Sequence, residues 1–155
     1  MAMNQFDANF VTVALTATTA KTVVGVKAAT NIALKILESS ISFDGATSTN
    51  APAVVDFARC TFGANSPGTA STSLTPGKRD PGRAETIQAT AAHTWTTEPT
   101  TITAQRSHDV GQFNGLFYLI YPFASPIIVA GGAGWVIRAT SPNNCNTCGG
   151  IAGEE

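Results

Sequence analysis

Residues 110–137 read VGQFNGLFYLIYPFASPIIVAGGAGWVI and contain no Asp, Glu, Lys or Arg. A spanning helix needs about 20 unbroken apolar residues. Here Pro122, Pro126, Gly131, Gly132 and Gly134 cut the stretch into pieces of roughly five to nine residues, which is strand length. Asn114-Gly115 is a hairpin-type pair. The stretch therefore predicts consecutive strands and no membrane partner, and it sets the fold class for the whole chain.

The same signature extends in both directions. Downstream, Trp135–Thr140 and Cys145–Gly153 complete the series after a short Pro126–Ala130 strand. Upstream, Thr100–His108 and Ala84–Trp95 read as strands, and Val55, Phe57 and Arg59 alternate with Val54, Asp56 and Ala58. Ile32, Leu34 and Ile36 alternate with Ala33, Lys35 and Leu37, and that frame runs on through Ile41 and Phe43 to the turn pair Asp44-Gly45. Lys21–Lys27 forms an earlier strand. The first opens where Phe10, Thr12 and Ala14 alternate with Val11, Val13 and Leu15. The 22 threonines sit among Val, Ile and Ala in such runs, a composition suited to half-buried strands.

About eight to ten strands at a spacing near ten residues, without helical crossovers, predict an all-β chain: a single antiparallel β-sandwich of jelly-roll type. An immunoglobulin-type Greek key is the competing topology. With 155 residues the chain is one domain. Residues 1–10 are read as a flexible N-terminal arm and 11–155 as the sandwich. Residues 63–83 hold most of the turn formers and read as one long loop, an expected interaction element.

Charge is scarce. Charged residues make up 12% of the chain, about half the roughly 25% of an average soluble domain, and the net charge is −1. Nucleic-acid binders carry clustered Lys and Arg, so no nucleic-acid partner is expected. A weakly charged surface near neutrality associates readily, which points to an assembly component. No Lys or Arg precedes Lys21, and Asp7 falls in that stretch, so a secretory leader is not expected.

Groups for chemistry are few. Cys60, Cys145 and Cys148 are an odd number, and in an extended strand residues three apart face opposite sides. Unpaired strand cysteines are the preferred reading; a disulfide between Cys145 and Cys148, or a zinc site drawing on Cys60, His93 and His108, needs a turn there. His93 and His108 lie near Glu98 and Asp109 in sequence but read as isolated histidines at strand ends. No nucleophile elbow, HExxH or phosphate loop is present. The expectation is therefore no enzyme, no catalytic residue, no cofactor and no metal. The aromatic set Phe113, Phe117, Tyr118, Tyr121, Phe123 and Trp135 reads as core or subunit contact, with a carbohydrate platform as the alternative.

Several phrases together resemble small jelly-roll virion proteins of tailed phages and prophages: ILESSISFDG at 36–45, LTPGKRDPG at 74–82, ATAAHTWTTEPT at 89–100, and IIVAGGAGWVIRAT at 127–140 before a Glu-Glu end. The resemblance spans roughly residues 20–155. It implies a capsid decoration or cement protein, made in the host cytoplasm and located on the virion surface. Its expected partners are itself, as a homotrimer, and the major capsid protein. The alternative on the same fold is a receptor- or carbohydrate-binding head or fibre domain. Asn4, Gln5, Phe6 and Phe10 of the arm, and Lys78, Arg79 and Arg83 of the loop, are the expected partner contacts. The final strand is thinner on one face than the resemblance leads one to expect, which predicts a strand covered by a neighbour or mobile.

Overall fold

The computed structural model describes residues 3–45, 49–113, 115–122 and 125–155; Asn114, Phe123 and residues 1–2 of the expected arm lie outside them. The described residues form twelve strands and no helix. They are β1 (Gln5–Leu15), β2 (Ala20–Lys27), β3 (Leu34–Phe43), β4 (Ala53–Thr61), β5 (Thr72–Leu74), β6 (Gly77–Lys78), β7 (Thr90–His93), β8 (Thr101–Val110), β9 (Leu116–Ile120), β10 (Ile127–Val129), β11 (Gly134–Thr140) and β12 (Cys145–Glu154). No helix is long and apolar enough to cross a membrane.

Two antiparallel sheets result. The first runs β10-β3-β12-β1-β6, with β9 also paired to β3; the second runs β5-β7-β2-β11-β4-β8. Alternation decides which face each strand buries. In β3, Leu34, Ile36, Ile41 and Phe43 turn inward while Lys35, Ser40 and Ser42 turn out. Between the sheets lies one core containing Phe6, Phe57, Trp135 and Ile151. A hydrogen bond from Trp135 Nε1 on β11 to Ser39 Oγ on β3, 3.2 Å, ties the layers, and Tyr121 meets the Trp135 ring edge-on at 5.9 Å. Phe57 and Phe117 pack across the gap at 5.6 Å. The folded chain exposes 7294 Å², the area a compact monomer of this mass should have.

Three expectations are corrected. The arm is a strand: Gln5–Phe10 pairs with β12, and Phe6, Ala8 and Phe10 are buried. The reason is visible in the alternation Phe6-Asp7-Ala8-Asn9-Phe10, which gives the start of the chain a core face of its own. A bulge between Phe10 and Val13 then inserts one extra residue opposite β12, so Val11 and Thr12 both face outward and Val13 and Leu15 return to the core.

Next, the long loop carries β5 and β6, which extend opposite sheets: β5 pairs with β7 and β6 pairs with β1. Of the expected strand at 84–95, only Thr90–His93 is regular. Finally, the last strand is a central one. β12 is hydrogen-bonded on both sides, to β1 and β3, and its glycines admit close neighbours; a Cβ on Gly153 would meet the Phe6 ring at 2.9 Å and Lys35 O at 3.0 Å. Its cover comes from its own chain.

Candidate interaction surface

The expected contact residues divide. Phe6 and Phe10 are core residues, 0% and 4% exposed, and cannot reach a partner. Asn4 exchanges backbone hydrogen bonds with Glu155, and Gln5 Nε2 donates to Glu154 at 3.4 Å. Lys78 Nζ donates to the carbonyl of Arg83 at 3.0 Å, and Arg83 donates to the carbonyl of Met3. Arg79 lies across the outer face of the first sheet, where its guanidinium binds Asp7 on β1 and Glu38 on β3, each at 2.9 Å. The intervening β12 carries only Ala152 in that row, small enough for the arginine to pass over it. These loop cations are thus engaged with their own chain. Hydrogen bonds from Arg79 and, second, from Tyr118 hold the Glu38 carboxyl below its ordinary value; Glu38 in turn raises the Tyr118 hydroxyl.

The titratable groups named from sequence do not converge. His93 bonds Thr94 Oγ1 at 2.9 Å, whereas His108 packs on Phe117 at 4.7 Å and beside Phe57 at 6.2 Å. Glu98 accepts from the Thr22 amide at 2.8 Å and from its hydroxyl at 2.5 Å, within β2. No group of three His, Cys, Asp or Glu is placed to hold a metal among the described residues. All three cysteines are free. Cys145 faces the core, with its thiol raised by burial, and Cys148 faces solvent, bonded to Ser42 Oγ at 3.0 Å. Cys60 is buried and its thiol is pushed up to about 12 by desolvation. Thiols held protonated in this way are poor nucleophiles.

The aromatic set splits by face. Phe117, Tyr121 and Trp135 point into the core, while Phe113 and Tyr118 are open. Tyr118 belongs to a ridge. On β9, Leu116, Tyr118 and Ile120 are 68%, 48% and 63% exposed, and on β10 Ile128 is 44% exposed. Register places this ridge in three rows across the sheet. Leu116 lies beside Ser42 and then Cys148; Tyr118 beside Ser40, Gly150 and Asn9; Ile120 beside Glu38, Ala152 and Asp7. Large apolar side chains on the edge strand thus border small residues on β3 and β12, of which Gly150 and Ala152 are buried, with the Asn9 side chain lying over Gly150.

Sequence reasoning noticed the residues of this ridge but not their orientation. LFYLI is apolar at every position, so alternation could not separate inward from outward members; a run of that kind is typical of a strand covered on both faces. Searches against protein-family models, curated proteins and solved structures return no match for the chain.

Proposed function

We propose that this protein acts by binding, as a virion decoration or cement protein whose homotrimers sit on the outside of a major capsid shell and stabilise it. The observation that carries this reading is the uncovered apolar ridge of β9 and β10 on a chain with only 12% charged residues. Contiguous exposed apolar surface of this kind marks interaction sites. A trimer adds avidity: three modest contacts on one rigid body reinforce one another through effective concentration, so no single shell contact need be tight.

Strand order supports a jelly roll over an immunoglobulin-type sandwich. The pairs β4·β8, β3·β9, β2·β11 and β1·β12 are nested like the rungs of one long hairpin, and successive rungs alternate between the two sheets. Rolling such a hairpin is the jelly-roll arrangement of capsid domains. Fold alone does not assign function, so the capsid role rests on the surface together with the resemblance noted from sequence.

Electron microscopy of the native particle tests the proposal. Density for this chain on the outer shell, in threefold clusters and at copy numbers near that of the capsid protein, is the expected result. Its absence from the shell, or a few copies confined to a fibre tip, overturns it.

A further inference from the structure

A sheet ends in strands with one open side, and proteins keep such edges from pairing with short strands, bulges, charges and prolines. Most edges here carry one of these devices. β5 and β10 have three residues each and β6 has two, with Lys78 in β6 and Pro126 just before β10. β8 is longer, but a register shift falls beside Gln105, and Arg106 and Asp109 follow it. β9 has none of them. Leu116–Ile120 contains no charge and no proline, keeps one register along β3, and has no second strand beside it among the described residues. Its inward residues, Phe117 and Leu119, are only half-buried, as expected of a flank left open.

The order of residues fits one occupant of that edge, a second β9. About a twofold axis two copies of a strand run antiparallel, and each residue faces the one at equal distance on the other side of the centre. Centred on Tyr118, the whole strand finds a counterpart: Tyr118 faces Tyr118 and Leu116 faces Ile120 on the outer face, while Phe117 faces Leu119 on the inner. Opposed residues share a face, and aromatic and aliphatic pairs of this kind stabilise a sheet. Any other centre leaves part of the strand unmatched. A twofold also brings each charge on the axis against its own copy, so an uncharged strand suits it. Glu38, beside Ile120 on β3, is already neutralised by Arg79 at 2.9 Å.

We infer that β9 is a self-pairing edge: two copies join Leu116–Ile120 antiparallel about Tyr118, merging their six-stranded first sheets into one. The ridge side chains of the two copies then lie side by side and cover one another. Leu116, Tyr118, Ile120 and Ile128 open roughly 400 Å², within the range of the largest patch on a typical monomer, against about 800 Å² that a standard contact takes from each partner. One pairing is therefore weak and reversible. The inference deepens the decoration reading and rests on it for where the contact acts: a twofold does not close a ring of three, so it links neighbouring trimers on the shell, where many weak contacts reinforce one another.

Sedimentation and cysteine cross-linking of the purified chain test this together. The mass should double reversibly as concentration rises, and Tyr118→Lys, which sets two ammonium groups face to face on the axis, should abolish the doubling with an unchanged strand circular dichroism spectrum. In a Cys148→Ser background, with buried Cys60 and Cys145 out of reach, the oxidant diamide should link Tyr118→Cys chains in pairs about tenfold faster than Leu116→Cys or Ile120→Cys chains alone, because only directly opposed residues stand within disulfide range. A mixture of the last two should link one variant to the other as fast as Tyr118→Cys links to itself. A mass that never doubles, a doubling that survives Tyr118→Lys, or equal rates for the three cysteine variants overturns the inference. Native particles separate the two proposals: chains that pair but never bind shells defeat the decoration reading alone, and shell-bound Tyr118→Cys chains that diamide does not link defeat this inference alone.

Discussion

The region spanned by residues 62–98 and the outer face of the first sheet solve the same problem in opposite ways. The former wraps the molecule with its own chain. Phe62 and Trp95 stack at 5.9 Å over the outer face of the second sheet, where Ala58, Cys60, Ala92 and Val136 form a second apolar cluster. Glycines make room for them: a Cβ on Gly25 would lie 3.0 Å from the Trp95 ring, and one on Gly134 would lie 2.7 Å from Val26 O beside the Phe62 ring. Polar ties then fix the wrap, with Trp95 Nε1 donating to Asn65 O at 3.1 Å, Asn65 to Glu98 O at 2.7 Å, and the amides of Gln88 and Ala89 to the Glu155 carboxylate at 2.6 and 2.9 Å. Among the described residues, the first sheet's outer face is crossed by Arg79 of the loop. In the second sheet, β8 offers a ten-residue edge paired on one side alone. An edge of that length is a template for association unless managed. The contrast teaches that apolar surface is not left open here for want of chain to cover it; where cover is internal it is specific, and where it is missing the exposed side chains are large.

The sharpest way to break the contrast is to strip the wrap. Trp95→Ala empties the space above Gly25 and should cost about 3–5 kcal/mol, as burial of an aromatic side chain predicts; urea unfolding should show a lower midpoint, and a change below about 1 kcal/mol would mean that the cover is ornamental.

A smaller effect is expected where the first sheet's face carries its single strap. Arg79→Ala removes two partly exposed ion pairs and should cost about 0.5–1 kcal/mol at low salt, less at high salt. The pH dependence has a definite sign. Because the folded Glu38 carboxyl titrates below its ordinary 4.5, its contribution is present above that value and fades as pH falls through the folded one. Acid titration of thermal stability should be shallower in Arg79→Ala than in the wild type; equal slopes would show that the strap does not couple to Glu38.

The smallest effect belongs to the open edge. Thr103→Lys on β8 should leave stability within about 0.5 kcal/mol and yet reduce aggregation on heating, since a lysine guards an unpaired strand. Turbidity during a thermal ramp measures it, and unchanged turbidity would remove β8 from the list of association edges.

Much of this was legible in the residues. Runs of strand-forming residues bounded by turn formers located ten of the twelve strands, all but β5 and β6. The start of the chain was misread although Phe6, Ala8 and Phe10 alternate with polar residues; position at a terminus was given more weight than the pattern. Strands β5 and β6, of three and two residues, are too short to show any period. The small residues of the final strand read locally as a weakness; their cover comes from Asn9 and Arg79, distant in sequence, and depends on register that no local reading supplies.

The bulge in β1 has a consequence for how this sequence can vary in length. Removing a residue from inside a strand normally turns half of its side chains inside out. Between Phe10 and Val13 the extra residue already compensates for itself: losing either Val11 or Thr12 would straighten the strand while keeping Phe6, Ala8, Phe10, Val13 and Leu15 all on the inner side. Single-codon deletions, which evolution rarely tolerates within a sheet, have a permitted place here.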